Sequence, residues 1–255
     1  MFVKRPWIIA VLFIGMAALG IVWWLSLNNW SFKGMVPSRE SQHFSRHADS
    51  VEFSGVYAIR GPGYTGTLTV RRAGDGYNLC WQLASGSVYY GNGLAIGDVL
   101  GAVCAVEGHK HTRVMAYKKE ADGLSGLAAR MDGDKLGCEK TADAERIKAS
   151  TYPLTGTYTV QGSHPNQASY KGEMTLERTG ATYTVRCRAS DGSGYCGTGF
   201  AVDEVFVTGY SNAMGVGIGV YEINSSGLEG RWLYTDYSRL ATTSQIRAGS
   251  ERAAK

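Results

Sequence analysis

From residue 55 onward, apolar and polar residues alternate with period two in short runs, and glycine-bearing turns break the runs. Leu68/Val70 and Tyr77/Leu79/Trp81 fall on single faces of such runs, the signature of half-buried strands. In the C-terminal half the same reading predicts eight strands, near 156–162, 170–178, 182–189, 194–202, 204–210, 216–223, 227–234 and 239–246. The N-terminal half predicts the same eight, ending near "KLGCEKTA".

The pattern repeats because the chain does. "GVYAIRG" from Gly55 returns as "GTYTVQG" from Gly156. "YTGTLTVRRAGDGYNLCW" from Tyr64 returns as "YKGEMTLERTGATYTVRC" from Tyr170, after a short insertion near "SHPNQAS". "YYGNGLAI" from Tyr89 matches "YCGTGFAV" from Tyr195, and "YKKEADGLSG" from Tyr117 matches "YEINSSGLEG" from Tyr221. Glycines and tyrosines stay in register while other positions drift. A tandem duplication of this kind sets the architecture. Eight short antiparallel strands in succession can close on themselves and so remove exposed edges. The expected fold is all-β: two tandem eight-stranded antiparallel meander domains, either lipocalin/avidin-like small barrels or flattened sandwiches. Eight strands enclose packed side chains or one small ligand, and the pattern leaves both open.

The first residues read differently. Trp7 to Leu27, "WIIAVLFIGMAALGIVWWLSL", carries no charge. As a helix it would span roughly 31 Å, close to the ~30 Å hydrocarbon core of a bilayer. A cleaved signal peptide is the alternative, with Ala17-Ala18 near its cleavage site, but the apolar run continues well past that point. Trp23, Trp24 and Trp30 suit a membrane-interface belt. The resulting division is a transmembrane anchor over 1–27, a juxtamembrane linker over 28–53, a first β-domain over 54–146, a second over 155–247 and a tail over 248–255.

The stretch "CRASDGSGYC" sharpens the picture. A two-residue turn at Asp191-Gly192 would place Cys187 opposite Cys196 on a non-hydrogen-bonded pair, close enough for a disulfide. The first copy would then put Trp81 against Tyr90 as a cross-strand aromatic pair. A disulfide implies an oxidising compartment. It orients the protein with the N-terminus in the cytoplasm and the β-domains in the periplasm. The state of Cys80, Cys104 and Cys138 stays open.

Charge excludes little beyond nucleic acid. The net charge is +4, and both +2 contributions come from the first 54 and the last nine residues, so the middle is nearly neutral. The search for chemistry finds no catalytic, cofactor-binding or metal constellation. His43 and His47 read as solvated linker residues, and His109 and His111 as loop residues flanking Lys110. His164 lies in the insertion and has no partner in the first copy. "GVGIGV" at 215–220 opens no helix, so it is no nucleotide loop. Tyrosines and Trp232 supply amphipathic aromatics for packing, an interface or a small pocket.

The recurring G-x-Y-x-(V/I)-x-G, Y-x-G, (Y/C)-G-x-G and G-L-x-G pattern resembles exported bacterial tandem-repeat β-domains, some of them described as fibronectin-binding-like. The resemblance implies fold and export and supplies no catalytic residue. The first copy has Ala128 where the second has Trp232. The expected function is a non-enzymatic, membrane-anchored periplasmic interaction protein of the bacterial inner membrane. Its partners would be the bilayer through residues 7–27 and other membrane or envelope proteins, as an accessory subunit or envelope factor. The alternative is a protein that binds a small apolar ligand in its barrel interiors.

Overall fold

Alternation along each strand sorts side chains to two faces, and a run of such strands buries both its edges only by closing. A computed structural model describes residues 51–255 except 106–111, 122, 132, 142–143, 145–146 and 241. The anchor over 7–27, Trp23, Trp24 and Trp30, and His43, His47, His109 and His111 lie outside the described residues. Among the described residues no helix is long and apolar enough to cross a membrane. The first copy comprises β1 (Gly55–Gly61), β2 (Tyr64–Ala73), β3 (Gly76–Leu83), β4 (Val88–Ile96), β5 (Val99–Ala105), β6 (Thr112–Glu120), β7 (Gly123–Arg130) and β8 (Leu136–Thr141). The second comprises β9 (Gly156–Ser163), β10 (Ser169–Thr179), β11 (Thr182–Ala189), β12 (Gly194–Val202), β13 (Val205–Ser211), β14 (Gly215–Asn224), β15 (Gly227–Asp236) and β16 (Gly249–Ala254). Each set forms a closed antiparallel barrel, so the barrel reading holds over the sandwich.

Fifteen of the sixteen strands fall where the alternation puts them, and the sixteenth does not. The last strand was expected at 239–246, leaving 248–255 as a tail, yet the barrel is closed by Gly249–Ala254. The segment before it crosses to the other barrel. Ile246 exchanges backbone hydrogen bonds with Ala73 and Asp75, and Leu240 and Ile246 bury their side chains in an apolar cluster shared by the two barrels. Alternating apolar residues here serve a contact between barrels, not a ladder.

The cysteine hairpin also needs correcting. Ala189 N–H donates to Ser193 O at 2.8 Å and Gly192 N–H to Ala189 O at 3.0 Å, with Gly192 alone at positive φ (+86°). This is a three-residue loop, a type I turn with a glycine bulge. Asp191 stabilises it by accepting the Ser193 N–H on its carboxylate at 2.8 Å, a local bond that competes with the two-residue turn. The register slips by one residue: Cys187 faces Tyr195 and Arg186 faces Cys196. Cys187 turns into the barrel and Cys196 to solvent, and no disulfide joins them. The first copy uses the same loop, with Gly86 at φ +88°. Trp81 therefore faces Tyr89, not Tyr90, and points inward at 3% exposure while Tyr90 points out.

Both barrels belong to one compact unit. Their interiors form separate apolar clusters, one around Leu68, Leu79 and Tyr117 and one around Met174, Phe206 and Tyr221. A third cluster lies between them, where the outer faces of β4–β6 meet those of β12–β14 through Leu94, Val103, Val114, Phe200, Val207 and Val220. Two glycines permit this approach. A Cβ at Gly101 would lie 2.5 Å from Val220 Cγ2, and one at Gly209 would lie 2.9 Å from Val114 Cβ. Thr198 Oγ1–H also donates to the Met131 carbonyl, and Lys118 pairs with Asp203 across the same junction.

Two outcomes follow from this packing. Gly209→Val should overpack the junction and cost about 1–3 kcal/mol. Hydrogen exchange should then rise in peptides from both barrels, whereas independent barrels would confine the loss to the second. Non-reducing peptide mapping of oxidised protein should find no Cys187–Cys196 link, and Cys196 should alkylate in the folded protein well before Cys187.

Candidate ligand site at the mouth of the second barrel

Each barrel hides a carboxylate. In the first, Glu139 on β8 is 2% exposed. It accepts Tyr64 Oη–H at 2.6 Å and Tyr117 Oη–H at 2.5 Å. The Trp81 indole N–H is shared between Tyr117 Oη at 2.8 Å and Glu139 Oε1 at 3.2 Å. In the second, Glu251 on β16 is 4% exposed and accepts Tyr170 Oη–H at 2.5 Å and Tyr221 Oη–H at 2.9 Å. A charge so far from water is tolerable only when its lone pairs are occupied.

The recurring glycines make these bonds possible. Tyr64 lies flat across Gly61, where a Cβ would fall 2.1 Å from its ring, and Tyr170 lies likewise across Gly162. Glu139 pairs with Gly126 and Glu251 with Gly230, the same glycines that face Tyr117 and Tyr221. Tyrosine rings can thus cross the lumen to a carboxylate on the closing strand.

What differs is the space in front of the carboxylate. Trp81 fills it in the first barrel, its ring lying over Gly91. The matching position in the second barrel is Cys187. There a cavity of about 380 Å³ opens at the barrel mouth, with Glu251 and Cys187 among its lining residues. That volume lies within the range of small-molecule sites. One wall is a tyrosine stack: Tyr195 lies 3.9 Å from Tyr210, centroid to centroid, and Tyr210 lies 6.3 Å from Tyr234. The other groups Tyr170, Trp232 and His164, with His164 4.8 Å from Tyr170 and 5.5 Å from Trp232. The loops 164–168, 190–193 and 212–214 all open at this end.

Burial sets the electrostatics. It pushes Glu251 above the ordinary carboxylate value, partly offset by the bonds from Tyr170 and Tyr221. It pushes the Cys187 thiol well up, and the nearby Glu251 charge adds to this. Tyr170 and Tyr210 are raised by burial and then by the same carboxylate. The site therefore holds neutral hydroxyls and a thiol around one acidic group. Among the described residues no group of His, Cys, Asp and Glu gathers as a metal cage.

The residues singled out from sequence meet this site unevenly. Cys187 lines it as a thiol, and Trp81 occupies its counterpart. Cys196 and Tyr90 lie on outer faces. Both glutamates escaped the sequence reading, although "GCEK" at 137–140 and "GSER" at 249–252 carry the same spacing. No family model, curated protein or solved structure matches the chain.

The raised pKa of Glu251 fixes the sign of its pH dependence. With the folded value above the unfolded one, its contribution is most favourable below the unfolded pKa and is lost as pH rises through the folded value. Glu251→Gln should accordingly be most destabilising in acid and progressively less so toward neutrality. Urea unfolding of both proteins across that pH range checks this; a cost that grows with pH would contradict it.

Proposed function

We propose that the chain is a membrane-tethered binding protein whose second barrel holds a small, largely apolar ligand at its mouth. The observation that carries this reading is the cavity between two aromatic walls, reaching a buried carboxylate, in the barrel whose twin has the same space filled by Trp81. An aromatic lining with a few convergent polar groups is the usual composition of such sites. Burial holds the Cys187 thiol protonated, which favours binding over thiolate chemistry. The tether rests on the uncharged run Trp7–Leu27 of the sequence; with Cys187 and Cys196 unlinked, export to the periplasm rests on the resemblance to exported repeat domains. In this reading the first barrel is a packed support, and any protein partner in the envelope would meet the outer surface of the pair.

The test is a ligand-observed NMR screen of small aromatic and aliphatic compounds against the full-length protein. Compounds should bind at one site and be displaced by a Cys187→Trp change that fills the cavity, with Cys187→Leu as a milder filling variant. Thermal unfolding confirms that each variant folds. An absence of cavity-dependent binders would remove the proposal.

A further inference from the structure

The first barrel shows what its own core accepts in front of the carboxylate: a flat aromatic ring with an N–H. Three inward positions exchange size between the copies. Trp81, Cys104 and Ala128 of the first barrel correspond to Cys187, Tyr210 and Trp232 of the second. The large residue is central in the first barrel, while in the second the large residues flank a small one. Tyr210 does not occupy the vacated place, because its ring extends over Gly217 on β14, where a Cβ would lie 1.9 Å from it. The hydrogen-bond count differs in the same way. Glu139 and Tyr117 share a third donor, the indole N–H, whereas Glu251 and Tyr221 have only the tyrosine hydroxyls.

Resting on the proposed ligand site, we infer that its ligand is a planar aromatic heterocycle bearing an N–H, bound as Trp81 is bound in the other barrel. Its ring lies between Tyr210 and Trp232. Its N–H points to the Glu251 carboxylate and the Tyr221 hydroxyl, the counterparts of Glu139 and Tyr117, which receive the indole N–H in the first barrel. An apolar ring without a donor would leave the acceptors as they are; a donor completes them, and a hydrogen bond to a buried acceptor adds affinity.

Indole is the probe, titrated calorimetrically into the full-length protein beside 1-methylindole, which keeps the ring and loses the N–H. Indole should bind at one site, and 1-methylindole about tenfold more weakly, the effect of losing one hydrogen bond to a buried acceptor. Glu251→Gln should narrow that difference, and Cys187→Trp should abolish indole binding. Trp81→Ala should open a second indole site in the first barrel. If that variant does not fold alone, its recovery of a cooperative thermal transition on adding indole reports the same site. Equal binding of the two indoles, or no binding of indole, overturns the inference. When other compounds still occupy the Cys187-dependent cavity, the binding function survives that result; when nothing does, both fall.

Discussion

A carboxylate with its charge inside a closed barrel must be surrounded by donors, and the arrangement around Glu139 and Glu251 constrains much of the rest. The donors cannot come from neighbouring backbone, which the ladders already consume. They come from tyrosines on strands across the lumen, and a tyrosine reaches that far only where its ring can lie on bare backbone. Glycine under each ring is thus a steric requirement, since a Cβ at Gly61 would lie 2.1 Å from Tyr64 Cζ and one at Gly162 2.4 Å from Tyr170 Cζ. The carboxylate sits on the closing strand and its tyrosine donors on the second and sixth strands of each copy. It therefore ties the end of each barrel to its beginning. Among the described residues the β1–β8 seam pairs Ile59 with Thr141 and Arg60 with Lys140, and the bond from Tyr64 to Glu139 crosses the same closure.

That frame is common to both copies, and the copies diverge in how the remaining volume is filled. The first barrel keeps its indole in contact with Glu139 and Tyr117. The second exchanges that ring for a thiol and sets Tyr210, Trp232 and the inserted His164 around the gap. Duplication allows such a split, because one copy can retain a well-packed core while the other loses packing and gains access. A cavity costs stability in proportion to its volume, and a neighbour that stays packed offsets the loss.

The strand pattern was legible because alternation and turn glycines are local signals. The closing strand was not, since Leu240 and Ile246 alternate for a contact with the other barrel and nothing local distinguishes the two uses. The hairpin register failed on a finer point: Asp191-Gly192 fits two turn types, and a hydrogen bond from Ser193 to the aspartate selects the longer one. The duplicated tyrosines and glycines pointed to the frame without revealing what they frame, because the buried glutamates lie on the strands least regular in sequence. The cavity was visible only as departures between the copies. Trp81 against Cys187, Ala128 against Trp232 and the unmatched His164 are scattered along the chain and converge at one mouth only in the fold.

The junction between the barrels bears on the site as well as on stability. β13 presents Tyr210 to the cavity from one face, while its opposite face, at Val207 and Gly209, rests on Val114 and Met131 of the first barrel. A strand buried on both faces has little freedom to shift. The stacked wall of Tyr195, Tyr210 and Tyr234 is thus backed by the packed barrel. The wall formed by Tyr170, Trp232 and His164 comes from β10, β15 and the start of the 164–168 loop. The two walls therefore differ in support: one is backed by a second hydrophobic core, and the other is built from β10, β15 and the inserted His164 alone.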